Sequence, residues 1–197
     1  DIVVFTTERY LEELVPDISL KEALEQEGIK YIKIENINID ERLCHGVTPK
    51  TLGIAMGSWE FEQETVKKFS KYHLLDFMTI DLPRYKGGAH HTWRILHQNI
   101  SGCVNLQVIH GGKETFQQGE IIKRTEFTFP FELNTPEQTI AYSVKKEIAF
   151  FSDFFDELSS GKNFTCKVLD EEKSSYYPFL HTKTQGLINW AWSGKDI

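Results

Sequence analysis

The residues best suited to bind a ligand lie in one short stretch of the sequence. Residues 76–93 read DFMTIDLPRYKGGAHHTW, where Arg84 and Lys86 flank a tyrosine and precede the pair Gly87 and Gly88. A helical pattern starts directly after the glycines. Backbone N–H groups of a glycine turn and of a helix start favour an anion. The loop is therefore predicted to bind a phosphate or a similar anion, and a solvated basic turn is the competing interpretation.

Three histidines near this stretch could act as acids or bases. His90 and His91 follow the glycines, and His110 ends a predicted strand further along the chain. Imidazole changes its charge near neutral pH, which suits it to general base catalysis. An exposed histidine at a helix start is also common, so an ordinary surface position is the alternative for His90 and His91.

A second candidate ligand site follows the predicted strand TLGIAMGS at residues 51–58. Gly57 and Trp59 stand where this strand ends. Ligand crevices in parallel sheets lie outside the carboxyl ends of the strands. Trp59 is therefore predicted to line a crevice, and packing in the core is the alternative for its side chain.

Strands and helices alternate in the part of the chain that must position these residues. Strand patterns occur at residues 1–7, 30–37 and 51–58, and helical patterns at 19–29 and 59–72. Ser19 and Glu22 predict a capping box at the start of the first helix. Such alternation implies right-handed crossovers. The predicted fold class is α/β, with a parallel-rich twisted sheet flanked by helices.

The second half of the chain has a different pattern. Residues 102–110 and 119–129 are predicted to form two long strands, the second of which alternates like a member of an antiparallel pair. A long amphipathic helix follows at 135–161, with Thr135 as its N-cap and Pro136 at its first position. The tail that comes after this helix is irregular and rich in aromatic residues.

Composition limits the classes of protein to consider. The 197 residues carry a formal charge of −7, which argues against a general nucleic-acid binder. No stretch is long and apolar enough to span a membrane, and no signal peptide opens the chain. The cysteines, three in number, show no metal-like spacing, so reduced thiols and a cytoplasmic location are expected. The chain opens directly in a strand and ends in WSGKDI, typical of a helix start, so flanking sequence is expected.

In their order and spacing these motifs resemble the formyltransferase family, which uses 10-formyltetrahydrofolate to formylate amines. The glycine pair before a tryptophan-bearing helix and the segment LINWAWSG resemble the sugar N-formyltransferase branch. The resemblance implies a Rossmann-type domain at residues 1–162 without the family's first strand and helix, and a tail or linker at 163–197. The motifs that carry it are LPRYKGG, a W-x-I-L helix, GCVNLQVIH, QQGEII, the long helix and YYPFLHTKTQGLINWAWSG.

The resemblance also locates the family's three catalytic positions. The family has an asparagine, one spacer and a histidine upstream of Leu-Pro, and these positions hold Asp76 and Met78 here. Its catalytic aspartate stands two residues before a glycine, where this chain has Gln117 before Gly119. None of the three positions therefore carries the family's residue. Ordinary core packing for Met78, a solvated loop acid for Asp76 and for Asp81, and a turn position for Gln117 are the alternatives.

The substitutions change what the site can do. Formyl transfer needs a donor for a developing oxyanion and a base for the amine proton. Methionine supplies neither, glutamine is no general base, and a charged Asp76 would oppose an oxyanion. Loss of one donor or base costs about 10² to 10⁴ in rate, so the resemblance implies an impaired or inactive enzyme.

Three functional hypotheses follow. The first is a sugar N-formyltransferase-type protein with a degenerate site, whose partner is a nucleotide-linked amino sugar. In that case 10-formyltetrahydrofolate would lie near Gly57, Trp59, Arg84 and the glycine pair, and no metal is needed. The second is a non-catalytic binding or assembly subunit, with a homodimer left open. The third is an active enzyme whose chemistry has moved to His90, His91 or His110. No hypothesis includes a nucleic-acid or membrane partner.

Overall fold

A mixed sheet of four strands forms the centre of the molecule. The computed structural model describes residues 1–15, 17–112, 117–187 and 190–194. The strands are β1 (Val3–Thr6), β2 (Leu14–Val15), β3 (Ile18–Ser19), β4 (Lys30–Lys33), β5 (Gly53–Met56), β6 (Leu74–Met78), β7 (Lys86–Gly87), β8 (Ser101–Val108), β9 (Ile121–Thr128) and β10 (Tyr176–Tyr177). The helices are α1 (Glu8–Leu11), α2 (Leu20–Gln26), α3 (Glu41–Gly46), α4 (Gln63–Val66), α5 (His90–Leu96), α6 (Pro136–Ser159) and α7 (Thr182–Gln185), with a 3₁₀ turn at Glu171–Lys173.

The order of the central sheet is β5-β6-β8-β9. β5 and β6 run parallel, whereas β8 is antiparallel to both of its neighbours. β1 and β4 form a separate parallel pair, and β10 runs parallel to β7. The predicted α/β fold is confirmed, and the two long strands form the predicted antiparallel pair. The predicted helix start at the C-terminal end includes residues 195–197, which lie outside the described residues.

Local capping signals place the helix starts where the sequence predicts them. Ser19 and Glu22 form the capping box of α2, and Thr135 and Gln138 form another at the start of α6. These pairs satisfy N–H groups that a helix start leaves without partners. Phe150 and Phe154, one turn apart on α6, pack against Leu75 and the apolar residues of β8. One face of the central sheet is thereby covered.

The predicted helix at 59–72 is reduced to the four residues of α4. The side chain of Asn38 donates to the carbonyl of Glu60 and accepts from the N–H of Glu62, so this segment is bound to the loop after β4. Its apolar residues Trp59, Phe61 and Val66 pack into a core cluster with Ile34 and Leu74. Tertiary contacts therefore override the helical pattern here.

Strand β6 presents different residues to its two faces. Leu75 and Phe77 point toward α6, and the Phe77 ring centroid lies 4.6 Å from that of Phe151. Because side chains alternate along a strand, Leu74, Asp76 and Met78 face the opposite side. The candidate site lies on that second face.

Candidate functional site

A cavity of about 350 Å³ lies beside β6, on the face that carries Asp76. It is bounded by the loop that follows β5 and by the end of β8. Its size is at the lower end of the range typical of small-molecule sites. Its lining includes Trp59, Phe61, Asp76, Gln107, His110 and Gln117.

Asp76 is a buried carboxyl group inside this cavity. Asp76 is 7% exposed, and its side chain forms no hydrogen bond or ion pair with any of the described residues. Burial raises the pKa of Asp76 to about 7, because the charged form loses its hydration. The interpretation as a solvated loop acid is wrong both for Asp76 and for Asp81, which is also 7% exposed. A carboxyl group with this pKa can both accept and release a proton near neutral pH.

Gln107 lies directly opposite Asp76 in the antiparallel pairing of β6 and β8. Its side-chain amide donates to the carbonyl of Gly119 at 2.8 Å, which fixes its orientation. Gln107 is not among the site residues predicted from the sequence. The available signal is the pair Asn105 and Gln107, two polar residues at strand spacing within the otherwise apolar run of β8.

Trp59 lines the cavity and also packs against the core cluster that contains Ile34 and Leu74, so both interpretations of its side chain apply. Its indole Nε1 donates to the carbonyl of Met56 at 3.1 Å, so the ring is held across the end of the strand. Gly57 makes the turn between them with a φ of 95°, which favours glycine. A Cβ atom at Gly57 would lie 3.4 Å from the hydroxyl of Tyr10. The turn places an aromatic face and a carboxyl group on the same cavity.

His110 also lines the cavity, and its Nε2 lies 2.6 Å from the Glu120 carboxylate. The pKa of Glu120 is lowered, first by a hydrogen bond from its own backbone N–H and also by His110. The side chain of His110 is 44% exposed. Of the histidines proposed as replacement bases, His110 therefore shares the cavity with Asp76 and Gln117. Glu120 is a partner that the sequence analysis does not identify.

His90 and His91 have other partners. His90 Nε2 lies 3.3 Å from the Thr79 hydroxyl, and His91 Nδ1 lies 3.1 Å from the Thr139 hydroxyl. Burial lowers the pKa of His90 to about 3 and that of His91 to about 4. Neither is among the described residues that line the cavity. The interpretation as exposed surface histidines is wrong, since both are partly buried and hydrogen-bonded.

Met78 lies on the same face of β6 as Asp76 but contacts apolar neighbours. It is 7% exposed and belongs to a core cluster with Ile80, Leu82 and Ile121. Tyr85 packs against the same cluster. This environment is that of core packing, the alternative considered for Met78.

Gln117 joins the cavity to the glycine pair. Its Oε1 accepts the Gly87 N–H at 2.7 Å, and its Nε2 donates to the Gly87 carbonyl at 3.4 Å. The residue is 4% exposed and has a φ of 60°. Both polar ends of this side chain are therefore engaged by the backbone of the loop, and the amide carries no proton-accepting function.

The loop predicted to bind an anion uses its donors within the protein. Arg84 forms an ion pair with Asp81 at 2.8 Å, and Lys86 pairs with Glu171 at 2.6 Å. The N–H groups of Lys86 and Gly88 donate to the carbonyls of Ser175 and Tyr177. An anion bound here would have to replace several of these contacts, and the anion-binding role of Arg84, Gly87 and Gly88 stays a prediction.

The described part of the chain contains neither a cluster of metal-ligand side chains nor a membrane-spanning helix. Within these residues there is no group of three or more histidine, cysteine, aspartate or glutamate side chains that could hold a metal ion. Among the helices described, none has both the length and the apolar character needed to cross a membrane.

Comparison with known proteins gives a fold but no sequence relative. Neither the protein families nor the curated proteins searched contain a match to the chain. Among solved structures, WlaRD, a sugar 3N-formyltransferase determined with dTDP and 5-N-formyl-THF, matches with a TM-score of 0.63 at 19% identity. That alignment covers 90% of this chain and 59% of WlaRD.

Two further solved structures give the same result. The N-formyltransferase from Helicobacter canadensis, in complex with folinic acid and dTDP-3-aminofucose, has a TM-score of 0.66 at 18% identity, with 89% of this chain and 60% of that chain covered. PseJ from Anoxybacillus kamchatkensis, in complex with a UDP-linked formamido sugar and tetrahydrofolate, has a TM-score of 0.62 at 18% identity. The alignment covers 97% of this chain and 93% of PseJ.

These similarities define the class of fold. The chain has the α/β fold of the sugar N-formyltransferases, as the resemblance in its motifs predicts. It spans 59% and 60% of the length of the first two of these enzymes. Their complexes contain tetrahydrofolate derivatives together with a nucleotide or a nucleotide-linked sugar.

Proposed function

We propose that this chain is a formyltransferase-family protein that binds a 10-formyltetrahydrofolate donor in the cavity beside Asp76. The observation that carries the proposal is that a formyltransferase-type fold has a cavity with an aromatic wall and a buried carboxyl group that has no partner among the described residues. Trp59 and Phe61 provide apolar surface for a flat ring. Asp76 provides an acceptor that the described protein residues leave unused, and a buried acceptor of this kind favours a ligand that brings N–H groups.

The residues present therefore fit the folate group. Trp59 and Phe61 would hold its ring, while Asp76 and the polar atoms near Gln107 would bind its N–H groups. When bound, the folate supplies a formyl group attached to nitrogen, which is a donor for acyl transfer to an amine. The chain itself contributes binding, exclusion of water and the handling of protons.

The acceptor proposed is the amine of a nucleotide-linked amino sugar. The similar structures contain dTDP, dTDP-3-aminofucose or a UDP-linked formamido sugar. Sequence identities of 18–19% leave the particular sugar and nucleotide open. The aromatic tail places the exposed side chains of Tyr176 and Phe179 beside the Gly87 and Gly88 loop. We expect the nucleotide to bind at this surface.

The proposed activity is weaker than that of an enzyme with the family's three catalytic residues. Met78 is packed among apolar side chains, and Gln117 is bound to the backbone of Gly87. Neither side chain can accept a proton from an amine. Without a histidine and an aspartate at these positions, we expect a rate lower by about 10² to 10⁴ for each lost group, unless another residue takes over the proton transfer.

The first experiment is a titration with folinic acid, a stable formyl-folate, followed by tryptophan fluorescence and calorimetry. Saturable binding with a Kd of about 1 μM, close to −8 kcal/mol, is expected. The Trp59→Phe variant should lose most of the fluorescence change, whereas Trp93→Phe should retain it, because Trp93 is not among the described residues of the cavity. Absence of binding up to millimolar folinic acid would contradict the proposal.

A second candidate is an assembly subunit without catalysis, and an apolar stripe on α6 favours it. Ile140, Val144, Ile148 and Phe155 lie along one side of the helix, and each is at least 43% exposed. A second copy of the chain packed on this stripe would remove these apolar side chains from water.

A homodimer through this stripe can be tested by analytical ultracentrifugation. The wild type should sediment as a dimer and Ile148→Asp as a monomer, with Lys162→Asp outside the stripe as a control that stays dimeric. A monomeric wild type at 100 μM, on the order of the concentrations at which weak dimers form, would remove the support for this candidate.

A further inference from the structure

We propose that the carboxyl group of Asp76 performs the proton transfers of formyl transfer in this chain. It takes a proton from the acceptor amine and delivers it to the nitrogen that loses the formyl group. This inference rests on the proposed function, because it needs a formyl donor and an amine in the cavity. It assigns a role to a residue that stands where the resemblance places an asparagine.

The position of Asp76 supports this role. The residue lies in the middle of β6, with β5 on one side and β8 on the other, so its backbone is fixed by both neighbouring strands. Its side chain faces the cavity and not α6. A group held on a rigid element at the wall of a small cavity can be positioned accurately against a bound substrate.

The carboxyl group of Asp76 has no competing partner among the described residues. Asp76 is only 7% exposed, yet none of the described residues forms a hydrogen bond or ion pair with its carboxylate. In folded proteins such groups almost always have a partner. Asp81, the other buried aspartate of this region, differs from Asp76 because its carboxylate forms ion pairs with Arg84 and Arg124. An unused acceptor that points into a cavity indicates a function toward a ligand.

The charges that face Asp76 also support this role. β5 contributes no titratable side chain, and the loop after it contributes Glu60. β8 contributes Gln107, and the segment after β8 contributes His110, whose Nε2 lies 2.6 Å from the Glu120 carboxylate. The described lining contains no lysine or arginine. Among the described lining residues, no lysine or arginine therefore holds Asp76 in its charged form, and burial keeps its pKa near neutrality, where a single group can accept a proton and give it back.

The other candidates are less suited to this role. Gln117 and Met78 cannot accept a proton from an amine, and His90 contacts Thr79 away from the described cavity lining. His110 is the remaining alternative, but its side chain is 44% exposed and its Nε2 is occupied by Glu120. Asp76 is therefore the group whose position, burial and available acceptor atoms all suit it to the proton transfer.

The reaction balances with Asp76 alone. The lone pair of a neutral amine forms a bond to the formyl carbon, and the bond from that carbon to the donor nitrogen breaks with its electron pair on that nitrogen. The amine loses one proton to the Asp76 carboxylate, and the protonated Asp76 returns it to the departing nitrogen. The products are a formamide and the free secondary amine of the donor, and Asp76 is regenerated as a carboxylate.

The main test is a comparison of Asp76→Asn with the wild type in formyl transfer to amino-sugar nucleotides between pH 5.5 and 8.5. If Asp76 transfers the proton, kcat falls at least about 100-fold in Asp76→Asn, although asparagine is the residue that the resemblance places there. The folinic acid Kd should change by less than about tenfold.

Wild-type kcat should rise with pH through about 7 and then level, because the carboxylate is the active form at the start of the reaction. Glu147→Gln, a half-buried acid on α6 whose pKa is also raised by burial, is the matched control and should retain the wild-type profile.

A second readout does not depend on turnover. Infrared difference spectra between pH 5.5 and 8.5 should show the C=O band of one protonated buried carboxyl that disappears near pH 7 and is shifted by folinic acid. The band should be absent in Asp76→Asn and present in Glu147→Gln.

The outcomes separate the two proposals. Equal or higher kcat in Asp76→Asn overturns the role of Asp76 and leaves folate binding in place. Binding of folinic acid without transfer to any amine by the wild type also overturns it. A wild type that does not bind folinic acid overturns the proposed function itself.

Discussion

Gln117 and Gly87 are joined by two hydrogen bonds, although they are far apart in the sequence. The Gly87 N–H donates to Oε1 at 2.7 Å, and Nε2 donates to the Gly87 carbonyl at 3.4 Å. At the position where the resemblance expects a catalytic aspartate, this side chain therefore closes the glycine loop against the segment that leads into β9.

Replacing this amide by the family's residue should weaken the loop. Gln117→Asp removes the donor and shortens the side chain, so the free energy of unfolding should fall by about 1–2 kcal/mol. Urea denaturation provides the measurement. The exposed neighbour supplies the control, since Gln118→Asp should stay within about 0.5 kcal/mol of the wild type. Equal stability of both variants would mean that the pair with Gly87 contributes nothing.

Gly87 should not tolerate a side chain. Its φ is 104°, and an added Cβ would overlap the carbonyl oxygen of Tyr177, so Gly87→Ala should displace β10 from β7. We expect a loss of at least about 2 kcal/mol, the sum of backbone strain and a broken strand pair. Gly161→Ala is the control for strain alone, because Gly161 has a φ of 76° and no atom within 4 Å of the added Cβ. A cost similar to that of Gly161→Ala would show that the overlap is relieved at little cost.

Placing at position 78 the histidine that the resemblance expects should destabilise the protein. Met78→His places an imidazole among Ile80, Leu82 and Ile121. The polar neighbour across the strand pair, Asn105, already donates to the Ile80 carbonyl and accepts from Arg124. Burial of a polar group without a hydrogen bond costs about 1–3 kcal/mol, measurable by thermal or urea unfolding. Met78→Leu keeps the volume and should cost less than about 1.5 kcal/mol. If Met78→His is the more stable of the two, the histidine has found a partner and the site is more permissive than its contacts indicate.

Asp76 should make stability depend on pH. Its pKa is raised from 3.8 to about 7 by burial, so the folded protein keeps a proton that the unfolded chain releases. Stability is then fully present below about pH 4 and declines as the pH rises toward 7. A shift of about three units corresponds to about 4 kcal/mol as an upper limit.

Asp76→Asn should remove this dependence. The difference in free energy of unfolding between the variant and the wild type should grow from pH 4 to pH 7 and then remain constant. Measuring the difference between the two proteins cancels the opposite contribution of His90 and His91, whose low pKa values favour the folded state above about pH 6.5. Parallel stability curves would show that Asp76 titrates normally in the folded protein.

Local signals allowed the helix starts to be predicted, and remote contacts account for the errors. The capping residues Ser19 and Thr135 act within three residues of themselves, so their roles can be seen in the sequence. The helix predicted at 59–72 is mostly absent because Asn38, some twenty residues earlier, binds the backbone of Glu60 and Glu62. No window of local sequence contains that information.

The candidate site was predictable to a similar extent. Trp59 was identified because the end of a parallel strand is a general location for ligands. The burial of Asp76 depends on how β6 is covered, and the partners of Lys86 and Gly88 come from the tail, near residues 171–177. The resemblance located positions 76, 78 and 117, while the environments that decide their chemistry are tertiary.

The two faces of β6 have a consequence for how such a site can evolve. Apolar Leu75 and Phe77 hold α6, while Asp76 and Met78 face the opposite side. Inserting or deleting one residue would exchange the faces and place a carboxyl group in the core. Substitution on the face opposite α6 leaves the packing with α6 intact. Evolution can therefore replace the chemistry of this strand residue by residue, whereas changes in its length should be eliminated by selection.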